Sequence, residues 1–337
     1  MKKKTISKDR PKKRFTDLVG VDFSTTATKV VRLKQSKDGI ALAGLDMLPA
    51  VDFGQTASRM ELPRDITTYY GCLSYTGPAA VVRMVNTQLG AEEENVTEAK
   101  LRELLNVTEE YRVSARLVKR GKGRQDSSLL AAAIPDDDAR FLLGMFPSGP
   151  PAPTSLELSG LSFVSAFLHA CGDECAESTV CLLETGESIS HFVFLSKGEI
   201  CLVGKMPFGA RALREKLGKD LGVDDELAAS ILSDRSINIS ASLSSVLEPF
   251  IKQLSISKDF IERHQGCRVS KVYVSGGLSI LSSFDEEIGN LLHSEVVRWD
   301  PLRNIHCEEG ALSAEMKQEA TRFAAAIGAA IGGLEEQ

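Results

Sequence analysis

The chain has 337 residues, of which 43% are hydrophobic, 26% charged and 6% aromatic, with seven cysteines and a net charge of −6. That balance leaves room for about two domains with their own cores and excludes a fibrous, disordered or repeat class. Eight of the first fourteen residues are basic and one, Asp9, is acidic, so removing the leader's +7 from the total leaves −13 on the rest; an acidic body lacks the basic face that nucleic-acid binding requires.

In chain order, residues 18–23 read as a strand, 24–27 as a polar turn, 28–33 as a strand, 37–39 as a tight turn and 40–43 as a third strand. The same order returns at 179–183, 184–188, 189–195, 197–198 and 199–203, about 160 residues later. Two copies of a strand, a turn opened by an acid, a strand, a tight turn and a strand predict two similar α/β halves. Between them, residues 72–148 read as an inserted module. It has strands at 79–85, 111–119 and 128–134, a helix over 92–107 with Leu101, Leu104 and Leu105 on one face, and a second helix from Pro135 through Phe146. Asp136, Asp137 and Asp138 on the first turn of that second helix suit its dipole.

The Pro- and Gly-rich run 147–153 is expected to interrupt regular structure, with a helix over 156–169 after it. Beyond the second copy, Leu213, Leu217 and Leu221, and then Leu243, Val246, Leu247, Phe250, Ile251 and Leu254, mark two amphipathic helices. A strand at 271–275 ends in Gly276-Gly277, followed by a helix over 280–292, a strand at 295–298 and a closing helix over 313–333. The small residues of that last helix permit close approach to a neighbour. No apolar stretch reaches the ~20 residues that span a bilayer, and the leader has no apolar run after it to make a secretory signal. Cys171 and Cys175 lack a second Cys or His pair nearby, so the thiols are read as free, in a reducing cytosol.

An acid at a strand end followed by Ser, Thr and Gly, occurring twice, is what a nucleoside triphosphate held between two hairpins needs. Ser24, Thr25, Thr26, Thr185 and Ser188 can bind phosphate oxygens, Lys29 can neutralise phosphate charge, and Asp22 and Glu184 can face a hydrated Mg2+. These two carboxylates are also the candidates for any catalytic role. Gly276 and Gly277 let a ligand approach the backbone ahead of a helix start, and Gly209 is placed similarly. The five histidines are dispersed, and there is neither G-x-G-x-x-G nor a Walker sequence.

Taken together, these motifs resemble the actin-like ATPase family of the type IV pilus PilM and cell-division FtsA type. Val19-Gly-Val-Asp-Phe-Ser-Thr-Thr-Ala-Thr-Lys29 is similar to its first phosphate loop, Cys181-Leu-Leu-Glu-Thr-Gly186 to its second, and Val274-Ser-Gly-Gly277 to its adenosine loop. The resemblance implies an α/β, actin-like (duplicated ribonuclease H-like) two-domain fold with an inserted α+β subdomain of 1C type. Residues 1–14 would be a basic leader. The first half would be 15–71, completed by 149–176 and 311–337, with the 1C-like insertion at 72–148 and the second half at 177–310.

The resemblance further implies ATP and Mg2+ as ligands of Asp22, Ser24, Thr25, Thr26, Lys29, Glu184, Thr185, Gly186, Ser188, Gly209, Gly276 and Gly277. It implies a cytoplasmic scaffold, peripheral at the inner membrane, that docks the tail of a PilN-like single-pass membrane protein between subdomains 1A and 1C, with self-association as a further property. Three departures weaken the nucleotide chemistry. Ser24 stands where the family usually has Gly, Glu184-Thr185-Gly186 where it has Asp-Ile-Gly, and Leu227-Ala-Ala-Ser-Ile-Leu232 where it has an Ala-Glu-x-x-Lys step. The expectation is therefore weak nucleotide binding and slow or no hydrolysis. An active ATPase or phosphotransferase, which would need a base the sequence does not supply, and an FtsA-like filament protein are the alternatives on the same fold.

Overall fold

A computed structural model describes residues 15–53, 58–88, 96–121, 126–234, 237–281 and 283–335. The basic leader 1–14 lies outside the described residues, as do Glu92, Glu93, Glu94 and Asn95 at the start of the helix expected over 92–107.

Alternating β-branched and small residues lay down β1 (Asp17–Phe23), β2 (Ala27–Ser36) and β3 (Gly39–Pro49) as an antiparallel meander. β4 (Tyr70–Tyr75) then joins β1 in parallel. The chain next forms β5 (Val81–Thr87), α1 (Glu98–Leu105), β6 (Tyr111–Lys119), β7 (Ser127–Pro135) and α2 (Asp136–Gly144). These strands make a separate three-stranded sheet in the order β5-β7-β6. β8 (Ala152–Leu158) returns to the edge of the large sheet beside β4, and α3 (Ser159–Cys175) crosses to the second half.

There β9 (Thr179–Thr185), β10 (Ser190–Ser196) and β11 (Glu199–Met206) repeat the meander. They are followed by α4 (Ala210–Leu221), α5 (Asp225–Ser233), α6 (Ser240–Gln265), β12 (Val269–Gly276), α7 (Phe284–Leu292) and β13 (Glu295–Arg298). The last elements are β14 (His306–Cys307), α8 (Ala314–Gln318) and α9 (Ala324–Glu335). Strand order is β14-β3-β2-β1-β4-β8 in one large sheet and β11-β10-β9-β12-β13 in the other. Without the short β14, the two orders are the same, so the duplication read from the turns extends to topology.

Helices α3 and α9 lie between the two sheets. Their core joins Leu18, Val31 and Leu33 of the first sheet to Val180, Leu182, Val193 and Leu195 of the second through Phe163, Phe167, Ile327 and Ile331. The outer face of the second sheet is covered by α4, α6 and α7 through Leu213, Leu247 and Ile288. The outer face of the first meets Leu142 and Met145 at the end of α2. Leu101 and Leu105 of α1 fill the small core of the inserted sheet. Among the described residues no helix is long and apolar enough to cross a membrane.

Four elements differ from the sequence expectation. α1 starts at Glu98, capped by the Thr97 side chain, which accepts from Lys100 N–H at 3.3 Å. Residues 152–158 are a strand rather than a Pro-rich connection and helix start; Pro153 is tolerated because β8 is an edge strand. The helix expected from Ile280 begins at Phe284, because Leu281 turns extended and its carbonyl accepts from Arg298 at 3.1 Å. The closing helix is broken into α8, a 3-10 turn at Ala320–Phe323 and α9. At that turn Ser279 Oγ donates to Thr321 Oγ1 at 3.1 Å, tying it to a second 3-10 turn at Gly277–Ile280.

Candidate nucleotide cleft

The matching strand orders place the C-terminal ends of β1 and β9 opposite one another, with a cleft of about 210 Å3 between the halves. It is lined by Asp22, Ser24, Thr25, Thr26 and Lys29 from the first hairpin, Glu184, Thr185, Gly186 and Ser188 from the second, and Gly276 and Gly277 beyond β12. Eleven of the twelve site residues singled out by sequence therefore converge. The twelfth, Gly209, stands behind the second loop, where an added Cβ would lie 2.4 Å from the carbonyl oxygens of Gly186 and Glu187. The amides after it are used: Ala210 N–H donates to Gly186 O at 3.1 Å and Arg211 N–H to Glu187 O at 2.9 Å. The start of α4 thus braces the loop instead of offering free donors to a ligand.

Each acid sits one residue before the end of its strand, with a base opposite it on the next strand. Asp22 is in register with Lys29, and Glu184 with His191, a spacing of seven residues in both copies. The first pair is a closed ion pair: Lys29 Nζ donates to Asp22 Oδ2 at 3.1 Å and to Ser24 Oγ at 3.3 Å. The other Asp22 oxygen accepts from Ser159 Oγ at 2.7 Å, at the first residue of α3. Charge-assisted bonds of this kind orient the carboxylate although it is only 3% exposed.

The second pair behaves differently. His191 Nδ1 is 3.8 Å from Glu184 Oε2, and neither group has a further ion-pair partner among the described residues. Burial pushes the Glu184 carboxyl up to about 8, with the Asp22 charge adding to the rise and Lys29 opposing it. Burial pulls the His191 imidazole down to about 4, with Lys205 lowering it further and Asp22 opposing. At neutral pH Glu184 therefore keeps its proton and His191 is uncharged, beside the closed Asp22–Lys29 ion pair.

The hydroxyls divide in the same way. Thr25 and Thr26 are exposed at the turn. Thr185 is committed to the fold: its Oγ1 donates to Ser275 O at 3.1 Å and accepts from Leu278 N–H at 3.2 Å. Gly276 has φ +87, and a Cβ there would lie 2.1 Å from Thr185 O, so only glycine allows this crossing. Sequence reasoning missed Thr76, His191 and Arg322 in the lining, and Ser159 behind Asp22. The repeated spacing of seven carried the signal for His191; Ser159 and Arg322 come from distant segments and left none. Leu232, Leu278, Ile280 and Leu281 add apolar surface to the lining. The arrangement suits a ligand with a polyanionic group, beside Lys29 and the turn hydroxyls, and an apolar part.

The sequence matches the family model for the type IV pilus assembly protein PilM over residues 162–334, just over half of its length. No curated protein matches it by sequence. Among solved structures, a PilM-PilN type IV pilus biogenesis complex superposes with a TM-score of 0.81 at 17% identity, covering 96% of this chain and 100% of that one. The ethanolamine utilization protein EutJ from Carboxydothermus hydrogenoformans has a TM-score of 0.49 at 17% identity, with 95% and 91% covered. MreB 5 of Spiroplasma citri bound to AMPPNP has 0.46 at 10% identity, with 95% and 96% covered.

Proposed function

The chain belongs to the type IV pilus assembly protein PilM family, and from that premise we propose that it is the actin-like scaffold of a type IV pilus-like or type II secretion-like assembly platform. It holds ATP in the cleft between its halves and docks the cytoplasmic tail of a PilN-like single-pass membrane protein, from the cytoplasmic side of the inner membrane. Its α/β fold is the actin-like one, with the three-stranded module inserted between β4 and β8. The observation that carries the nucleotide reading is the convergence of both duplicated loops on one cleft.

The residues fit a nucleoside triphosphate at its two ends: Lys29, Ser24, Thr25, Thr26 and Ser188 toward the phosphates, Gly276, Gly277 and the apolar lining toward the nucleoside. Among the described residues no three His, Cys, Asp or Glu side chains converge as metal ligands. A Mg2+ would thus be held through waters by Asp22 and Glu184, where it would supply charge neutralisation for the phosphates. Glu184 must first lose its proton, so metal affinity rises with pH toward 8. With both Asp22 oxygens bonded, Glu187 paired to Arg214 at 2.6 Å and Glu184 protonated at pH 7, none of these carboxylates of the described lining is free to activate water, which favours slow or no hydrolysis.

For the partner, the seam between the module and the first half offers an aromatic group. Phe53, 37% exposed, lies 5.2 Å from the Tyr75 ring and 4.9 Å from that of Phe141 on α2, and Tyr75 Oη donates to Asp138 Oδ2 at 2.7 Å. An apolar tail segment seated here would bury Phe53. The leader 1–14 is the proposed contact with anionic lipid, each basic residue adding ~1 kcal/mol near the surface at low salt. Sedimentation with anionic vesicles carrying such a tail tests both contacts. Phe53→Ser should remove most of the tail-dependent binding, and deletion of residues 1–14 the lipid-dependent part. Equal sedimentation of all three proteins would reject both.

A further inference from the structure

The cleft and the inserted module are joined by one row of side chains. Glu184 on β9 is in register with His191 on β10, and His191 with Lys205 on β11. Residues directly opposite on neighbouring strands share one face of the sheet, so the row runs from the cleft to the edge of the second sheet. His191 is held against the first half as well: a Cβ on Gly160 of α3 would fall 2.5 Å from its ring.

At the end of the row, Lys205 leaves its own half. Its Nζ donates to Pro78 O at 2.6 Å, to Ala80 O at 2.5 Å and to Gly77 O at 3.5 Å. No carboxylate stands within ion-pair distance of it among the described residues, and burial lowers its pKa. An ammonium has three donors, and here all three go to the backbone of a single loop. That loop joins β4 of the large sheet to β5 of the module, and β5 runs alongside β11. Its other end is fixed at the cleft, where Thr76 N–H donates to Phe23 O at 3.2 Å, one residue from Asp22. The loop is therefore held at one end by the first phosphate-loop strand and at the other by the second half.

We propose that Lys205 couples the cleft to the inserted module, so that occupancy of the cleft alters the module's start and with it the partner surface. The inference rests on the nucleotide reading for the natural ligand, though the row itself does not depend on it. The cleft is lined from both halves, so a triphosphate seated in it would bear on their spacing. Lys205 carries that change into residues 77–80 because its bonds cross between the halves. Both ligands then bias one two-state element, which is what coupling requires.

Hydrogen–deuterium exchange of the full chain tests this on peptides covering residues 77–87, in wild type, Lys205→Met, Lys205→Arg, Glu184→Ala and the Glu184→Ala/Lys205→Met double variant. With Mg-AMPPNP, wild type should slow exchange there at least threefold. Lys205→Met should lose that response while keeping the nucleotide-induced rise in melting temperature, and Lys205→Arg should restore it. An equal response in Lys205→Met overturns the proposal. If Mg-AMPPNP changes neither melting nor exchange in wild type, the nucleotide reading has failed, and the ligand-free variants decide the coupling alone. Glu184→Ala, which removes the carboxyl from the row, should then change exchange at 77–87 at least twofold with Lys205 present and not in the double variant. The same effect in both backgrounds, or none in either, overturns it.

Discussion

Replacing Gly328 by valine should lower the melting midpoint by 5 °C or more, while Gly332→Ala in the same helix should leave it unchanged or raise it slightly. α9 is an Ala- and Gly-rich helix buried on nearly every side, against β1 and α3. A Cβ at position 328 would lie 1.8 Å from Ser162 O, and one at Gly20 of β1 would lie 2.0 Å from Ala326 O. Both obstacles are backbone atoms that no rotamer change can move, so the helix itself must shift. Overpacking of this kind costs about 1–3 kcal/mol and more where backbone must move, against a total stability of ~5–15 kcal/mol. For halves of this size ~1 kcal/mol corresponds to about 2–4 °C. At Gly332 the nearest atoms are side-chain oxygens at 3.5 Å and 3.9 Å, so alanine adds only its helix propensity, ~1 kcal/mol at most. Thermal melts followed by circular dichroism check both, and an unchanged midpoint for Gly328→Val would refute the close approach.

Glutamine at position 184 should stabilise the protein at pH 9 relative to wild type, with the difference shrinking toward zero near pH 5. An unfolded Glu titrates near ~4.3, whereas Glu184 in the fold titrates at about 8. Between those values the folded chain binds a proton that the unfolded chain does not, so stability falls as pH rises through the window and the contribution is lost above 8. His191 acts in the opposite sense. Its folded value of about 4 lies below an unfolded ~6.5, so its contribution is lost as pH falls from 6.5 toward 4. The two slopes oppose each other from about pH 4.5 to 6.5, and only that of Glu184 remains from 6.5 to 8. Wild type should therefore be flat over the first interval and lose about 2 kcal/mol over the second. Urea midpoints at pH 5, 7 and 9 measure this; parallel curves for the two proteins would show that Glu184 is ionised in the fold throughout.

The sequence made the duplicated hairpins legible because their information is local. Alternation, Lys37-Asp38-Gly39 and Lys197-Gly198 fix strand and turn within ten residues, and the strand orders of both halves follow. Asp22 and Glu184 were legible for the same reason, since each occupies the same place in its copy. Where a distant contact overrides local preference, the reading failed. Leu281 leaves the helical path because Arg298 takes its carbonyl, and the closing helix breaks where Thr321 meets Ser279. Residues 152–158 read as a Pro-rich connection because only their place at a sheet edge makes Pro153 acceptable in a strand. The chemistry of the cleft was least legible of all. That Asp22 is tied to Ser159 as well as to Lys29, and that Glu184 keeps its proton, depends on burial and on groups more than a hundred residues apart in the chain.

Calorimetric titration of Mg-ATP into the protein at pH 7, repeated in buffers of different ionisation enthalpy, tests the central claim that the two loops form one nucleotide site. The account predicts one nucleotide per chain, loss of binding in a folded Lys29→Met variant, and a buffer-dependent enthalpy reporting the proton that Glu184 must release when metal is bound. Absence of binding heat at millimolar Mg-ATP, in protein whose circular dichroism shows it folded, would contradict it.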